Sequence, residues 1–488
     1  MSEIQPSGRT SWLAALTRTS DGQGAADGDD VEVRLNRSLS TMAVLLLAVG
    51  SVIGTGIFVI MGVVVPLAGP AVVISFVLAG IACLLSGLSY AEIASSLPSS
   101  GSVYSYAYAT VGELLAWVVG WCLILEYGVG IAAVSVGWSQ YLNEGLTQAF
   151  GVAIPSDWVN APDAGGIMDL PGFLLVLAMA FVVSAGVKES ARVNATLVII
   201  KLVLILMFLA ITFTGFNSAN LHPFLPLGIA GVIAAAGKLV FAYAGFDAAA
   251  VAGAESKNPR KAIPIAIVGA LALITVIYTL VGLASVAAWP WQQFEGTGGE
   301  AALARIVQDV SGQAWTSEII SVGAIVAIIS VVLALLYTLS RIIYTISRDG
   351  LLPKRFGQLS PRTRTPVFST WTLAGFLALL AAFVPLDDLA AAISLGTLVA
   401  FGVVNISVLV LRRTRPDLPR LFKVPFGPVI PCIAVLLNIV LMIFLPITTW
   451  IVFMIWLVIG LLVYWFYSRH RSVAGKQSAD TASAADAG

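Results

Sequence analysis

The chain has 488 residues, 58% of them hydrophobic and 11% charged, and its formal net charge is zero. Soluble globular chains carry about 25% charged residues, so a soluble fold could not cover this much apolar surface, whereas a bilayer is itself an apolar solvent. The three cysteines (Cys83, Cys122, Cys432) lie far apart in apolar runs, and His222 and His470 fall at loop or tail positions. That spacing excludes a cysteine–histidine metal site and reads as small core residues.

Residues 1–40 carry Asp21, Asp27, Asp29 and Asp30 in a Gly/Ser-rich setting. With no compact basic-then-apolar pattern, they read as a disordered tail with a short helix near Trp12 to Leu16 rather than a secretory signal. A spanning helix needs about 20 apolar residues. Twelve candidate runs follow, at 41–65, 70–93, 113–142, 171–187, 190–215, 228–253, 262–288, 316–347, 366–384, 388–411, 427–446 and 449–467. The Ala/Ser/Asp-rich stretch from Ser472 reads as a second disordered tail. With this topology 23 of the 26 lysines and arginines fall in the tails and loops of one side, and one, Arg305, falls on the other. The remaining two, Lys201 and Lys238, sit inside spans. The positive-inside rule therefore predicts a multi-pass inner-membrane protein with both termini cytoplasmic.

The first span contains Gly50-Ser51-Val52-Ile53-Gly54-Thr55-Gly56-Ile57-Phe58, with two glycines flanking a threonine near the midplane. The sixth contains Phe241-Ala242-Tyr243-Ala244-Gly245-Phe246-Asp247. Each glycine weakens its helix, and a carboxylate at such depth costs ~2.5–3.5 kcal/mol, so Asp247 must face protein or water. Read singly, either segment is equally a small-residue packing face. Together they lie five spans apart, in equivalent places of two five-span halves, which is the pattern of a transporter binding site. A break frees N–H groups that attract a carboxylate and carbonyls that attract an ammonium. A zwitterionic amino acid carries both. An enzyme reading fails for want of a nucleophile–base pair or metal ligands, and no glycine cluster opens a βαβ unit. The basic residues are spread over six segments, which excludes a nucleic-acid role.

In five segments the sequence resembles the amino acid–polyamine–organocation (APC) superfamily, and within it the bacterial relatives of the cationic amino acid transporters. These are GSVIGTGIFVIMG, YAEIASSLPSSGSVYSYAY, WCLILEYGVG, FAYAGFDAAAVAGAESKNPRKAIPIAI and SRIIYTISRDGLLP, in that order within residues 35–467. The resemblance implies an all-α membrane protein of 12 transmembrane helices with a LeuT-type 5+5 inverted repeat. Helices 1 and 6 would be broken. Its parts would be a tail at 1–40, repeats at 41–215 and 216–411, two trailing helices at 412–467 and a tail at 468–488. It further implies a substrate carboxylate on the N–H groups around Gly54, Thr55 and Gly56, and an ammonium at the carbonyls of Val52, Phe241, Ala242 and Ala244. Ile53 belongs to the same substrate-binding stretch, and Phe241 resembles an aromatic lid.

Lys201 interrupts the apolar run Val198-Ile199-Ile200-Lys201-Leu202-Val203, some ten residues from either end of its span. Its stem is too short to snorkel comfortably to an interface. In proton-coupled relatives a lysine here occupies a sodium site of related carriers, which implies a proton as coupling ion and no other cofactor. By the same resemblance Glu126 and Asp247 line the pathway, although a buried acid paired to another helix is an alternative for Glu126. Glu92 and Glu255 either clasp basic residues at a cytoplasmic gate or have no role. Lys238 departs from the family pattern: it snorkels outward, or it places a positive charge in the outer vestibule. A bulky Leu335 on the eighth span, together with Lys238, argues for small neutral amino acids over cationic ones. The alternatives are a cationic amino acid transporter, an exchanger, or a sensor that binds without net transport.

Overall fold

A computed structural model describes residues 40–54, 56–96, 103–110, 112–186, 191–247, 249, 256–294, 301–420 and 422–473. Thr55, Glu255 and the proposed tails over residues 1–39 and 474–488 lie outside them. The described residues are helical, with no strand among them. This follows from apolarity, because a segment without water must satisfy its own backbone groups and a helix does so internally.

The helices are α1 (Thr41–Val52), α2 (Met61–Ala68), α3 (Val72–Ser96), α4 (Val103–Thr110), α5 (Glu113–Phe150), α6 (Leu170–Ser184), α7 (Ala191–Thr212) and α8 (Gly228–Tyr243). They continue with α9 (Pro259–Ala288), α10 (Ala302–Ser311), α11 (Ala314–Arg348), α12 (Val367–Phe383), α13 (Leu386–Thr414), α14 (Val429–Ile443) and α15 (Ile447–Val463). Seven continuous helical stretches among the described residues are long and apolar enough to cross a membrane. Five of the twelve predicted spans appear as shorter apolar helices: α1, α6, α8, α12 and α14. Two of these, α1 and α8, are short because the chain leaves the helix at the glycines, after Val52 and Tyr243. Side chains cap two starts: Ser40 accepts from the Ala43 N–H and Asp169 from the Gly172 N–H, as N-cap residues do.

The long helices form the frame. α5 packs on α11 and α13, and α9 packs on α3 and α1. α5 runs eight residues past its predicted end, to Phe150. α4 and α10 are short helices that hydropathy did not reveal. Cys432 is exposed on α14, unlike the buried Cys83 and Cys122, so the core reading fails for that cysteine.

Polar clusters tie the basic end of the bundle. Glu92, 1% exposed, accepts two hydrogen bonds from the Arg412 guanidinium, at 2.8 and 2.5 Å. A third comes from the Val424 N–H at 2.6 Å. Glu92 thus pairs with a basic residue, as one of its two sequence readings has it. Nearby, buried Glu113 accepts from Tyr108, Tyr464 and Ser472, and Tyr104 donates to Asp349 at 2.7 Å. Burial pushes the Asp349 carboxyl up to about 6; the Tyr104 hydroxyl and Arg348 oppose that rise, and the Glu113 charge adds to it.

Candidate functional site

The site is built where the two helix breaks meet. Between α1 and α2 the described residues leave the helix, with Gly54 at φ +123°. After α8, Ala244 is extended and Gly245 takes φ +104°. Both glycines hold backbone conformations that L side chains rarely adopt. The breaks pack directly on each other. A methyl on Gly56 would fall 2.3 Å from the Ala242 Cα, and one on Gly245 would fall 3.1 Å from the Ser51 carbonyl oxygen. Hydrogen at these positions is what lets the two backbones touch.

The polar bookkeeping at the breaks is asymmetric. The N–H groups of Val59 and Ile60 both donate to the Gly56 carbonyl. Among the described residues no acceptor meets the N–H groups of Gly54, Gly56, Ile57 or Phe58, and no donor meets the carbonyls of Ala242, Tyr243 or Ala244. Buried peptide groups are nearly always paired, so a cluster of bare donors beside bare acceptors marks a place for a ligand or water. Other carbonyls here are already served: the Tyr278 hydroxyl donates to Val52 at 3.0 Å and the Tyr141 hydroxyl to Phe58 at 2.7 Å. The Val52 carbonyl, expected at the ammonium, thus has one donor in place.

A cavity of about 40 Å³ lies against both breaks, lined by Gly50, Ser51, Tyr127, Lys201, Gly245, Ser330, Val331, Ala334, Leu335 and Thr338. It has room for roughly three waters at ~10–15 Å³ each. Two of the predicted site residues, Lys201 and Leu335, line it. Lys201 is 2% exposed and donates from Nζ to the Gly50 carbonyl at 3.3 Å. A methyl on Gly54 would meet that Nζ at 3.2 Å, so the lysine stands against the first break. Asp247 accepts a 2.5 Å hydrogen bond from Tyr127, which faces the same cavity. Glu126 is buried, one residue before Tyr127 on α5. Val52, Ile53, Gly54, Gly56, Phe241, Ala242 and Ala244 surround the breaks without lining this cavity, and Thr55 lies outside the described residues.

Sequence reasoning missed Tyr127, Tyr278, Ser330 and Thr338. The last two had a legible signal. Ser330, Ala334 and Thr338 recur every four residues on an apolar helix, which puts a small-and-polar stripe on one face. The tyrosines act on residues more than a hundred positions away, and no local pattern announces that. Lys238 forms an ion pair with Asp387 at the start of α13, so its charge is neither lone in a vestibule nor simply led outward.

A family model described as amino acid permease matches residues 39–465. The chain belongs to the amino acid permease family. The permease is therefore an integral, multi-pass transporter rather than an enzyme, in agreement with the resemblance drawn from the five motifs. It is 42% identical over 90% of its length to the branched-chain amino acid permease BcaP of Bacillus subtilis, covering 95% of that protein. It is 44% identical over 91% of its length to the methylthioribose transporter of the same organism, again covering 95% of it. Human cationic amino acid transporter 4 is 34% identical over 83% of the permease, which covers 65% of that longer protein.

Proposed function

We propose that the permease carries small neutral amino acids by alternating access, driven by protons, through the cavity between its two broken helices. The observation that carries this reading is that, among the described residues, the bare N–H groups of Gly54, Gly56, Ile57 and Phe58 lie beside the bare carbonyls of Ala242, Tyr243 and Ala244. A carboxylate belongs at the former and an ammonium at the latter. The interrupted α1–α2 and α8 lie in the places that a 12-helix, 5+5 inverted-repeat architecture assigns to its first and sixth helices. On that reading both termini and the basic loops face the cytoplasm, as the lysine and arginine placement requires.

On the α11 wall Leu335 and Val331 add apolar surface beside the small and polar Ser330, Ala334 and Thr338, which suits a short aliphatic side chain. The relative named for branched-chain amino acids supports this cargo class. Lys201, against the first break, is the proposed proton carrier, with Glu126, Tyr127 and Asp247 along the pathway. Its place between the first break and the cavity would let water that enters on opening deliver or take up that proton.

A second cargo reading comes from the relative named for methylthioribose. A sugar thioether has neither carboxylate nor ammonium, and it would leave both sets of peptide groups to water. A thermal-shift screen of purified protein separates the readings. Ligand at 100 times its Kd stabilises by ~2.7 kcal/mol. Alanine, valine and leucine are expected to raise Tm, while arginine and methylthioribose are not. Stabilisation by methylthioribose alone would replace the amino acid reading. Uptake of the binding amino acid into proteoliposomes then distinguishes a carrier from a sensor.

A further inference from the structure

Lys238 is unusual in its position: it sits within α8, one turn before Phe241, with only 4% of its surface exposed. Its Nζ forms an ion pair with Asp387, whose side chain is 54% exposed at the first turn of α13. A second tie lies deeper. Ser394, fully buried, donates to the Lys238 carbonyl at 2.9 Å and accepts from the Phe241 N–H at 3.1 Å. Asp387, Ala391 and Ser394 are spaced i, i+4, i+7 and form one stripe of α13 facing α8.

We infer that Lys238, Asp387 and Ser394 form a latch that holds the half-helix α8 against α13 and must part each time the permease opens to the outside. The inference rests on the alternating-access reading above. Three features support it. α8 ends at the break, so it can tilt without dragging the chain beyond Tyr243, whereas α13 is one unbroken rod of 29 residues. The ion pair joins a buried end to a water-exposed one, so opening would hydrate both charges and replace what the closed state provides; a pair sealed in the core would have no such compensation. Finally, the Ser394 tie ends on the N–H of Phe241, the aromatic proposed as lid, so one movement would release lid and half-helix together. Lys238 and Ser394 are positioning residues here, since neither lines the cavity.

The test uses full-length protein in which Cys83, Cys122 and Cys432 are replaced and one reporter is introduced, Ala391→Cys. This residue is 1% exposed in the closed arrangement. Labelling by a membrane-impermeant maleimide from the outside reads the opening. Adding Lys238→Met removes the pair without stranding a charge, and is expected to speed labelling roughly tenfold, within the usual range for coupling between two states. Ser394→Ala should act in the same direction. In a second arm, Lys238→Cys with Asp387→Cys is bridged by a short reducible bis-thiosulfonate; uptake should stop on bridging and return on reduction. Unchanged labelling in both single variants, or full uptake through completely bridged protein, overturns the latch. Labelling does not depend on cargo, so a failure of the amino acid reading would appear separately, as absence of uptake by the unbridged parent.

Discussion

Among the described residues two lysines, Lys201 and Lys238, are buried in the membrane-spanning part of the protein, and their surroundings differ. Lys238 meets a carboxylate at the water-exposed start of α13. Lys201 reaches the carbonyl of Gly50 beside a cavity and a broken helix. A carboxylate partner on another helix makes Lys238 a tie between α8 and α13. A carbonyl dipole holds the ammonium more weakly, and a neighbouring cavity offers a route for its proton. Residue type and burial alone would have assigned both lysines one role; the partner separates them.

The comparison can be broken most directly at the lysines themselves. On the proposed proton coupling, Lys201→Met should lower uptake about tenfold or more, equivalent to ~1.4 kcal/mol or above, and flatten its pH profile. Lys238→Met should leave the pH profile in place. If both variants flatten it, the distinction by partner is wrong. The Glu92–Arg412 pair sharpens the point. Glu92→Gln strands the Arg412 side of a bidentate pair, and should cost ~3–5 kcal/mol of stability, less whatever water supplies to the part-exposed guanidinium. The readout is Tm, and uptake per folded molecule should change little.

Asp349 supplies the opposite case, a half-buried carboxylate whose hydrogen bond to Tyr104 does not offset desolvation. Its folded pKa near 6 lies above the ordinary carboxylate value, so its contribution to stability is full below pH ~4 and is lost as pH rises through 6. Asp349→Asn should therefore melt above the parent at pH 7.5, by up to about 3 kcal/mol at ~1.4 kcal/mol per pH unit. The gap should close as pH falls from 6 towards 4. The smallest effects concern the glycines that let the breaks meet. Gly56→Ala forces a methyl onto the Ala242 backbone and should cost ~1–3 kcal/mol. Gly375→Ala in α12 meets nothing within 4 Å and should stabilise by ~0.5–1 kcal/mol. Equal melting shifts for the two would show that the close approach does not matter.

The sequence by itself determined the class of molecule, the apolar helices, the two interruptions and the depth of Lys201. Each is a local property: a run of apolar residues can only be helical in lipid, and a glycine pair weakens a helix whatever surrounds it. The family motifs added which segments face each other, through residues such as Gly54, Gly245 and Leu335. Only the tertiary structure decided the partners. The engagement of Val52 by Tyr278, the bond from Tyr127 to Asp247, the clasp of Glu92 by Arg412 and the pairing of Lys238 with Asp387 each join residues 120 to 320 positions apart or nearly so. Hydrogen bonds and ion pairs act over about 3 Å in space, and a linear pattern carries no distance between helices until they pack.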